Sequence, residues 1–261
     1  MGYVDLHCHL LPNLDDGSPS MAASLELARD AVADGVSHAL VTPHHLNRRY
    51  VNHKDAVIQA TSDFQASLNE SGIELTVFPG QEVHLSNKIL TALDQDDILF
   101  ADEGGRYMLL ELPSNEVPHY TKSMIYQLQS RGITPMIVHP ERNNELVAHP
   151  ERLADLLELG CLSQITASGY LGTFGKDVER AANLMVNAGQ GTIMASDAHV
   201  MEKRDYELGA AMRRLAKDLG RKVADDYQQN AKDILNGDPV RMTWEPIKQK
   251  KILVDLTKKG F

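Results

Sequence analysis

The chain has 261 residues, 43% of them hydrophobic and 24% charged, with a formal net charge of −10 at pH 7. That length suffices for one domain with a full core, and the acidic balance argues against a protein that wraps nucleic acid non-specifically. No apolar run approaches the roughly 20 residues that cross a bilayer, no basic-then-apolar leader opens the chain, and two cysteines, Cys8 and Cys161, make no disulfide framework. A cytoplasmic protein, not embedded in a membrane, is expected.

The apolar run 3–6 reads as a strand and leads into His7-Cys8-His9. Residues two apart on a strand face the same way, so His7 and His9 project together and can offer two imidazoles to one ion. Asp15-Asp16-Gly17 follows in a turn composition. Ser18 and Ser20 flank Pro19 at a helix start, and Leu25, Ala28, Val32 and Gly35 recur at helical spacing. Residues 37–41 predict the second strand, broken by Pro43 and followed by His44-His45. A second helix carries Val57, Ala60, Phe64 and Leu68 and stops at Gly72.

Residues 74–78 predict the third strand, leading through Pro79-Gly80 to Gln81-Glu82-Val83-His84, with a short helix near 88–93. The fourth strand, 107–110, ends in Glu111. A helix over 118–131 and a fifth strand, 133–138, lead to His139-Pro140-Glu141-Arg142. Pro150 opens a helix with Leu153, Leu156 and Leu157 inward and Gly160 as its stop. Residues 161–166 predict the sixth strand, followed by a Gly-containing loop to Gly175. Val178, Ala181, Met185 and Ala188 mark the next helix, and 192–195 predict a seventh strand ending in Ser196-Asp197-Ala198-His199. Two more helices are expected over 205–219 and 221–236. From Pro239 onward six Lys or Arg face two acids, so a basic tail, 239–261, is separated from a domain of 1–238.

Seven strands alternating with helices predict an α/β fold with parallel strands closed into a barrel. In such barrels chemistry gathers at the C-terminal ends of the strands. His7, His9, Asp16, His44, Glu82, Glu111, His139, Asp197 and His199 fall there or just beyond. Imidazole and carboxylate donors without thiolate suit Mn, Fe or Zn, and a set this large suits two or three ions. Closely spaced ions can clamp the attacking and leaving oxygens of a displacement. Nothing in the spacing alone brings the nine together.

The stretches Asp5-Leu6-His7-Cys8-His9, Asp15-Asp16-Gly17, Thr42-Pro43-His44, Gly80-Gln81-Glu82, Glu111, His139-Pro140-Glu141-Arg142 and Ser196-Asp197-Ala198-His199 resemble the polymerase-and-histidinol-phosphatase (PHP) superfamily. Within it they are similar to the metal-dependent tyrosine-protein phosphatases of Gram-positive capsule and exopolysaccharide systems. The match runs in unbroken order up to the tail. It implies a distorted seven-stranded (β/α) barrel and a site of two to three divalent ions, manganese favoured with iron or zinc as alternatives. The nine residues would be the ligands. The implied substrate is the phosphotyrosine tail of a bacterial tyrosine kinase, which would recruit the protein to the membrane surface. A homo-oligomer packed through the polar outer face of the first helix is a further expectation.

The resemblance also implies roles for Arg142 and Arg204, which stand where the family places phosphate-binding arginines. A guanidinium suits this because its planar fork gives paired, charge-assisted hydrogen bonds to phosphate oxygens. Metal-activated water would attack phosphorus without a phospho-enzyme, and His44 or His199 could act as general acid if not committed to metal. Cys8 departs from the small polar residue often found there, and a thiol beside ligands would make the site sensitive to oxidation. A small-molecule phosphatase of the histidinol-phosphate type is the alternative, and a non-catalytic metal-binding regulator a weaker one, since no ligand position is lost. A cysteine-based phosphatase is excluded: it needs Arg six positions after Cys, where Leu14 and Ala167 stand. His38, His53, His84, His119 and His149 match no motif position and fit surface or capping roles. Arg48 and Arg49 suit a solvated face or contact with an acidic phosphopeptide, and Tyr170 suits loop packing or ring stacking.

Overall fold

All strand pairings in the computed structural model, which describes residues 2–202 and 204–247, are parallel. Parallel neighbours need a crossover between them, and helices supply it. The chain runs β1 (Tyr3–Cys8), α1 (Met21–Ala33), β2 (Val36–Val41), β3 (His44–His45), α2 (Lys54–Glu70), β4 (Thr76–Pro79), β5 (Glu82–His84), α3 (Ile89–Asp94), β6 (Tyr107–Glu111), α4 (Thr121–Ser130) and β7 (Thr134–Val138). It continues through α5 (Asn144–Ala148), α6 (Leu153–Glu158), β8 (Leu162–Thr166), α7 (Ala167–Leu171), α8 (Lys176–Asn187), β9 (Ile193–Ala195), α9 (Leu208–Leu219) and α10 (Arg221–Leu235).

The α/β class with parallel sheets is as expected, but the seven anticipated strands appear as nine segments in two sheets. The smaller sheet has the order β1-β2-β4 and the larger β3-β5-β6-β7-β8-β9. The extra segments come from breaks within two tracks. Pro43 has no N–H to give a ladder, and it separates β2 from β3; Gly80-Gln81 separates β4 from β5. Glu82–His84 pairs along β6 and His44 pairs with Glu82 in turn, so two stretches with no strand signature become strands through their neighbours in the sheet. No continuous ladder closes the ring. At the seam a single parallel bridge joins Cys8 to Ala198, where His9 N–H donates to the Ala198 carbonyl at 3.0 Å and Asp197 N–H to that of His7 at 2.8 Å.

Strand residues alternate between two apolar clusters, as period-two side chains must. On β6, Leu109 joins a small cluster with Leu6, Leu40, Met136 and Val138, whereas Met108 and Leu110 face the larger one beneath the helices with Phe64 and Leu68. Ile234 of α10 joins the small cluster, with Val240 and Met242 packed on it. Residues 239–247 therefore lie against the domain, with Glu245 N–H donating to the Ala188 carbonyl at 2.8 Å. The remainder of the expected basic tail, 248–261, falls outside the described residues.

Two helices had no clear sequence signal. Asn143, whose carboxamide accepts the Leu146 N–H at 3.0 Å, caps α5, and α7 replaces the first part of the expected Gly-containing loop, ending where Gly172 takes φ +91°. Tyr170 on α7 is buried and its hydroxyl donates to Asp218 at 3.2 Å, which makes it a packing residue. Ser20, not Ser18, caps α1, accepting the Ala23 N–H at 3.2 Å. No helix among the described residues is long and apolar enough to cross a membrane.

Cys8 alternates with His7 and His9 and points away from them into the larger cluster, fully buried. Burial drives its thiol well above the usual range and pushes Cys161 up to about 12. The oxidation sensitivity anticipated at Cys8 is thus not supported, since the thiolate is the reactive form. At pH 8 a thiol near 12 is only about one part in 10⁴ ionised, so neither cysteine of the native protein should react with an aromatic disulfide reagent. Both should titrate after unfolding; rapid native labelling would contradict this packing.

Candidate metal centre

Each of the nine candidate donors lies at or just past the C-terminal end of a strand. β1 leads to His7, His9 and Asp16, His44 follows β2, Glu82 follows β4, and β6 ends in Glu111. His139 follows β7, and Asp197 and His199 follow β9. Their donor atoms form four overlapping groups, each within 4.8 Å: His9, Asp16, His44 and His199; His7, Glu82 and His139; His7, His9 and Asp197; His44, Glu82 and Glu111. Tertiary structure brings all nine together, and the shared members join the groups into one cluster.

The hydrogen bonds behind the rings decide what the cluster can hold. His7 Nδ1 lies 2.9 Å from Gln164 Oε1 and His9 Nδ1 2.7 Å from Asp15 Oδ2. Both partners are acceptors, so each Nδ1 carries the hydrogen and each Nε2 of a neutral ring keeps a lone pair. Those two Nε2 atoms face each other at 3.2 Å. Glu82 Oε2 lies 3.4 and 3.3 Å from them, and Asp197 Oδ1 3.6 and 3.5 Å. His44 Nδ1 is 2.8 Å from Glu82 Oε2, yet both atoms are buried and without a hydrogen bond. Arg204 offsets Asp197 Oδ1, but the two imidazole lone pairs and Glu82 Oε2 converge out of water without a donor, and such groups repel one another unless a cation lies among them. The donor chemistry, five imidazoles and four carboxylates with no thiolate, fits divalent first-row metals.

The same field appears as altered basicity. Burial would lower His9, but Asp15 overrides it and pushes the ring up to about 9. His44, opposed likewise by burial, is driven up to about 12 by Glu82 and Asp16. His199 is drawn down to about 4 by burial and by His9, and His139 is lowered by burial and Arg142. Glu82 stays well below the carboxylate range despite burial, through His44 and His7. Asp197 does so through Arg142 and Arg204. Two non-glycine residues here adopt left-handed backbone, His139 at φ +36° and Asp197 at φ +50°. Each such conformation costs about 1–3 kcal/mol and persists where its surroundings hold it.

Arg142 and Arg204 lie at this cluster, both anchored on Asp197, Arg204 more fully because its Nε and Nη2 also donate to the Asp197 carbonyl at 3.2 and 3.0 Å. Arg142 Nη1 contacts Asp197 Oδ2, and Arg204 Nη2 donates to Asp197 Oδ1 at 2.6 Å. Their guanidinium carbons sit 5.3 and 5.8 Å from the centre of one ring, Phe174, within cation–π range. Each fork keeps further N–H groups beyond those facing Asp197.

Asp15, Gln164, His84 and Phe174 belong to the arrangement without having been singled out for it. Asp15 looked like a turn former; it also accepts the His44 N–H at 3.0 Å. His84 is half-buried with Nδ1 2.8 Å from Glu111 Oε2, so its expected surface role is corrected. His38, His53, His119 and His149 are exposed, as expected. His45 is buried with neither ring nitrogen hydrogen-bonded, and its side chain joins none of the four groups.

Known proteins resemble this chain over nearly its whole length. Residues 3–236 match the family described as capsular polysaccharide synthesis, CpsB/CapC. The chain is 35% identical over 250 residues to the tyrosine-protein phosphatase YwqE of Bacillus subtilis (strain 168), covering 95% of this chain and 98% of that protein. It is 24% identical over 238 residues to the tyrosine-protein phosphatase CpsB of Streptococcus agalactiae serotype III, covering 89% and 98%. A crystal structure from the set comprising YwqE of Bacillus subtilis and CpsB of Streptococcus pneumoniae, described as metal-dependent tyrosine phosphatases, superposes with TM-score 0.90 at 35% identity, over 94% of this chain and 100% of that one. An organophosphorus hydrolase variant from Deinococcus radiodurans shares the fold alone, at TM-score 0.54 and 12% identity.

Gly17 tests how tightly the cluster is built. A Cβ there would meet the His9 carbonyl oxygen at 2.3 Å and the His9 Cβ at 2.4 Å, so Gly17→Ala must displace His9. The expected outcome is a loss of tightly bound metal by elemental analysis of at least one equivalent, with far-UV circular dichroism retained. Unchanged metal content would show that His9 is not held as described.

Proposed function

The chain belongs to the CpsB/CapC family of capsular polysaccharide synthesis, and from that premise we propose that it is a metal-dependent protein-tyrosine phosphatase. The observation that carries this reading is the meeting of inward-facing lone pairs and carboxylates with two arginine forks at one end of the strands. Its substrate is phosphotyrosine, on the tail of a bacterial tyrosine kinase that regulates capsule or exopolysaccharide synthesis.

His7, His9, Asp16, His44, Glu82, Glu111, His139, Asp197 and His199 hold two to three divalent ions, with manganese favoured over iron and zinc. When bound, such ions supply a water activated for attack at neutral pH and offset charge on the phosphoryl oxygens. Gln164 and Asp15 set the tautomers of His7 and His9 so that both Nε2 atoms stay inward. Arg142 and Arg204 turn their remaining N–H groups toward the phosphoryl oxygens, where paired charge-assisted bonds strengthen as negative charge develops. Phe174 and Asp197 keep the two forks in place while they do so.

His44 has one nitrogen against Glu82 and the other 3.4 Å from Asp16, so the ligand role takes precedence over its role as general acid. The demand for an acid is small, because a phenol with pKa about 10 leaves readily. The bridge between Cys8 and Ala198, the continuation of β2 into β3 and of β4 into β5, and the two-sided alternation of β6 support one distorted seven-track barrel. Buried free thiols suit a reducing cytoplasm, with recruitment to the membrane through the kinase. The outer face of α1, with Glu26, Arg29 and Asp30 exposed, is the surface through which it would self-associate.

The experiment is hydrolysis of a phosphotyrosine peptide against histidinol phosphate, with manganese and after chelation. Peptide turnover should vanish with chelator and return with metal; Arg142→Ala should lower kcat/KM about 10²–10³-fold, as loss of a transition-state donor does, and His9→Ala should lower it together with the metal content. Preference for histidinol phosphate would reassign the substrate; metal binding with no turnover of either would leave a docking protein. Phe174→Leu removes both cation–π contacts, together worth about 1 kcal/mol or more, and should raise KM about five-fold with metal content unchanged.

A further inference from the structure

The chain leaving β3 is shaped to present cations. Leu46 turns at φ +60°, and the Asn47 side chain accepts the N–H groups of Arg49 and Tyr50 at 2.9 and 2.7 Å, closing a side-chain turn that leaves Arg48 and Arg49 exposed. They line a groove of about 1240 Å³ with Lys88, and the segment after β6 forms another wall. Among the described residues no ion pair engages Arg48, Arg49 or Lys88. One acid, Glu116, shares the groove. In a chain of net charge −10, this is a local excess of positive charge in a concavity, where fields are focused and anions are drawn in.

The groove opens from the metal centre. His84 lines it and holds Glu111 at 2.8 Å. Ser114 lines both the groove and a recess of about 60 Å³ bounded by Glu111, His139 and Arg142. The recess admits a group the size of a phosphoryl, whereas the groove exceeds the roughly 300–1,000 Å³ of a small-molecule site. Its dimensions suit several residues of extended chain at about 3.3 Å each. Asn87 and Asn115 offer carboxamides for peptide groups, and the Tyr120 ring, 46% exposed, offers an apolar wall.

We propose that this groove binds the chain flanking the phosphotyrosine and that Arg48, Arg49 and Lys88 select segments carrying Asp or Glu beside the phosphorylated residue. The inference rests on the phosphatase reading. Exposed ion pairs each contribute little, so three together produce a preference of roughly ten-fold.

The test uses two phosphotyrosine peptides of equal length, flanked by Glu in one and Gln in the other. The unaltered metal-loaded protein should show a KM about ten-fold lower for the Glu peptide at low salt, and the difference should shrink at 0.5 M salt. In the triple variant Arg48→Gln, Arg49→Gln, Lys88→Gln the two peptides should differ by less than two-fold. Should that variant misfold by circular dichroism, Glu116→Gln serves instead, since removing the one acid should widen the preference. Equal KM values in the unaltered protein, or a preference that the variants leave unmoved, would overturn the proposal. Hydrolysis of p-nitrophenyl phosphate by the unaltered protein separates the two readings: turnover there without peptide discrimination defeats the groove alone, and no turnover defeats the phosphatase reading and the groove with it.

Discussion

Two imidazole nitrogens, His7 Nε2 and His9 Nε2, face each other at 3.2 Å with buried carboxylate oxygens beside them. In a site shut off from water, such an arrangement is repulsive unless positive charge joins it. Much of the surrounding structure serves to hold those groups inward. Gln164 and Asp15 orient the rings from behind. Asp5, fully buried, clamps the seam by accepting the backbone N–H of Ser196 at 2.9 Å and its hydroxyl at 2.6 Å. Burial pushes Asp5 up to about 6 even with those bonds, a sign of how dry this end of the strands is.

Asp197 links the two halves of the chemistry. Its Oδ1 faces His7, His9 and Arg204, and its Oδ2 faces Arg142. Arg142 comes from the turn after β7 and Arg204 from the chain beyond β9, so neither fork would be positioned by its own segment alone. Phe174 completes the arrangement from a third segment, held between Gly172 and Gly175, both at positive φ. A flat aromatic face orients a guanidinium without occupying its N–H groups, and the Nη1 group of Arg204 stays clear of the bonds that tie its Nε and Nη2 to Asp197.

The centre and the groove beside it are built on different physics. In the centre, desolvation makes each charge–charge contact strong and each unpaired group costly. Along Arg48, Arg49 and Lys88 the charges are exposed and screened, so they can bias which chain binds but contribute little to holding the fold.

From the sequence alone, the alternation of apolar runs with helical stretches determined the α/β class, and the positions of His, Asp and Glu after those runs determined the donor set, because strand-end placement is local in the chain. The nine candidate donors were legible for that reason, whereas Arg142 and Arg204 were singled out only through the family resemblance. What the sequence could not decide were the features that depend on partners distant along the chain. The strand character of Glu82–His84 arises from pairing with β6 and that of His44-His45 from pairing with β5, and short pieces have no periodicity of their own. Asp15 looked like a turn residue and Gln164 like an ordinary strand residue until folding placed them behind His9 and His7. Phe174 carried no signal at all, since its role exists only where Arg142 and Arg204 meet above it. Cys8, adjacent in sequence to both histidines, turned out to be remote from the site, because successive strand residues point to opposite faces. Local periodicity determined which residues could serve; only tertiary packing decided which of them touch.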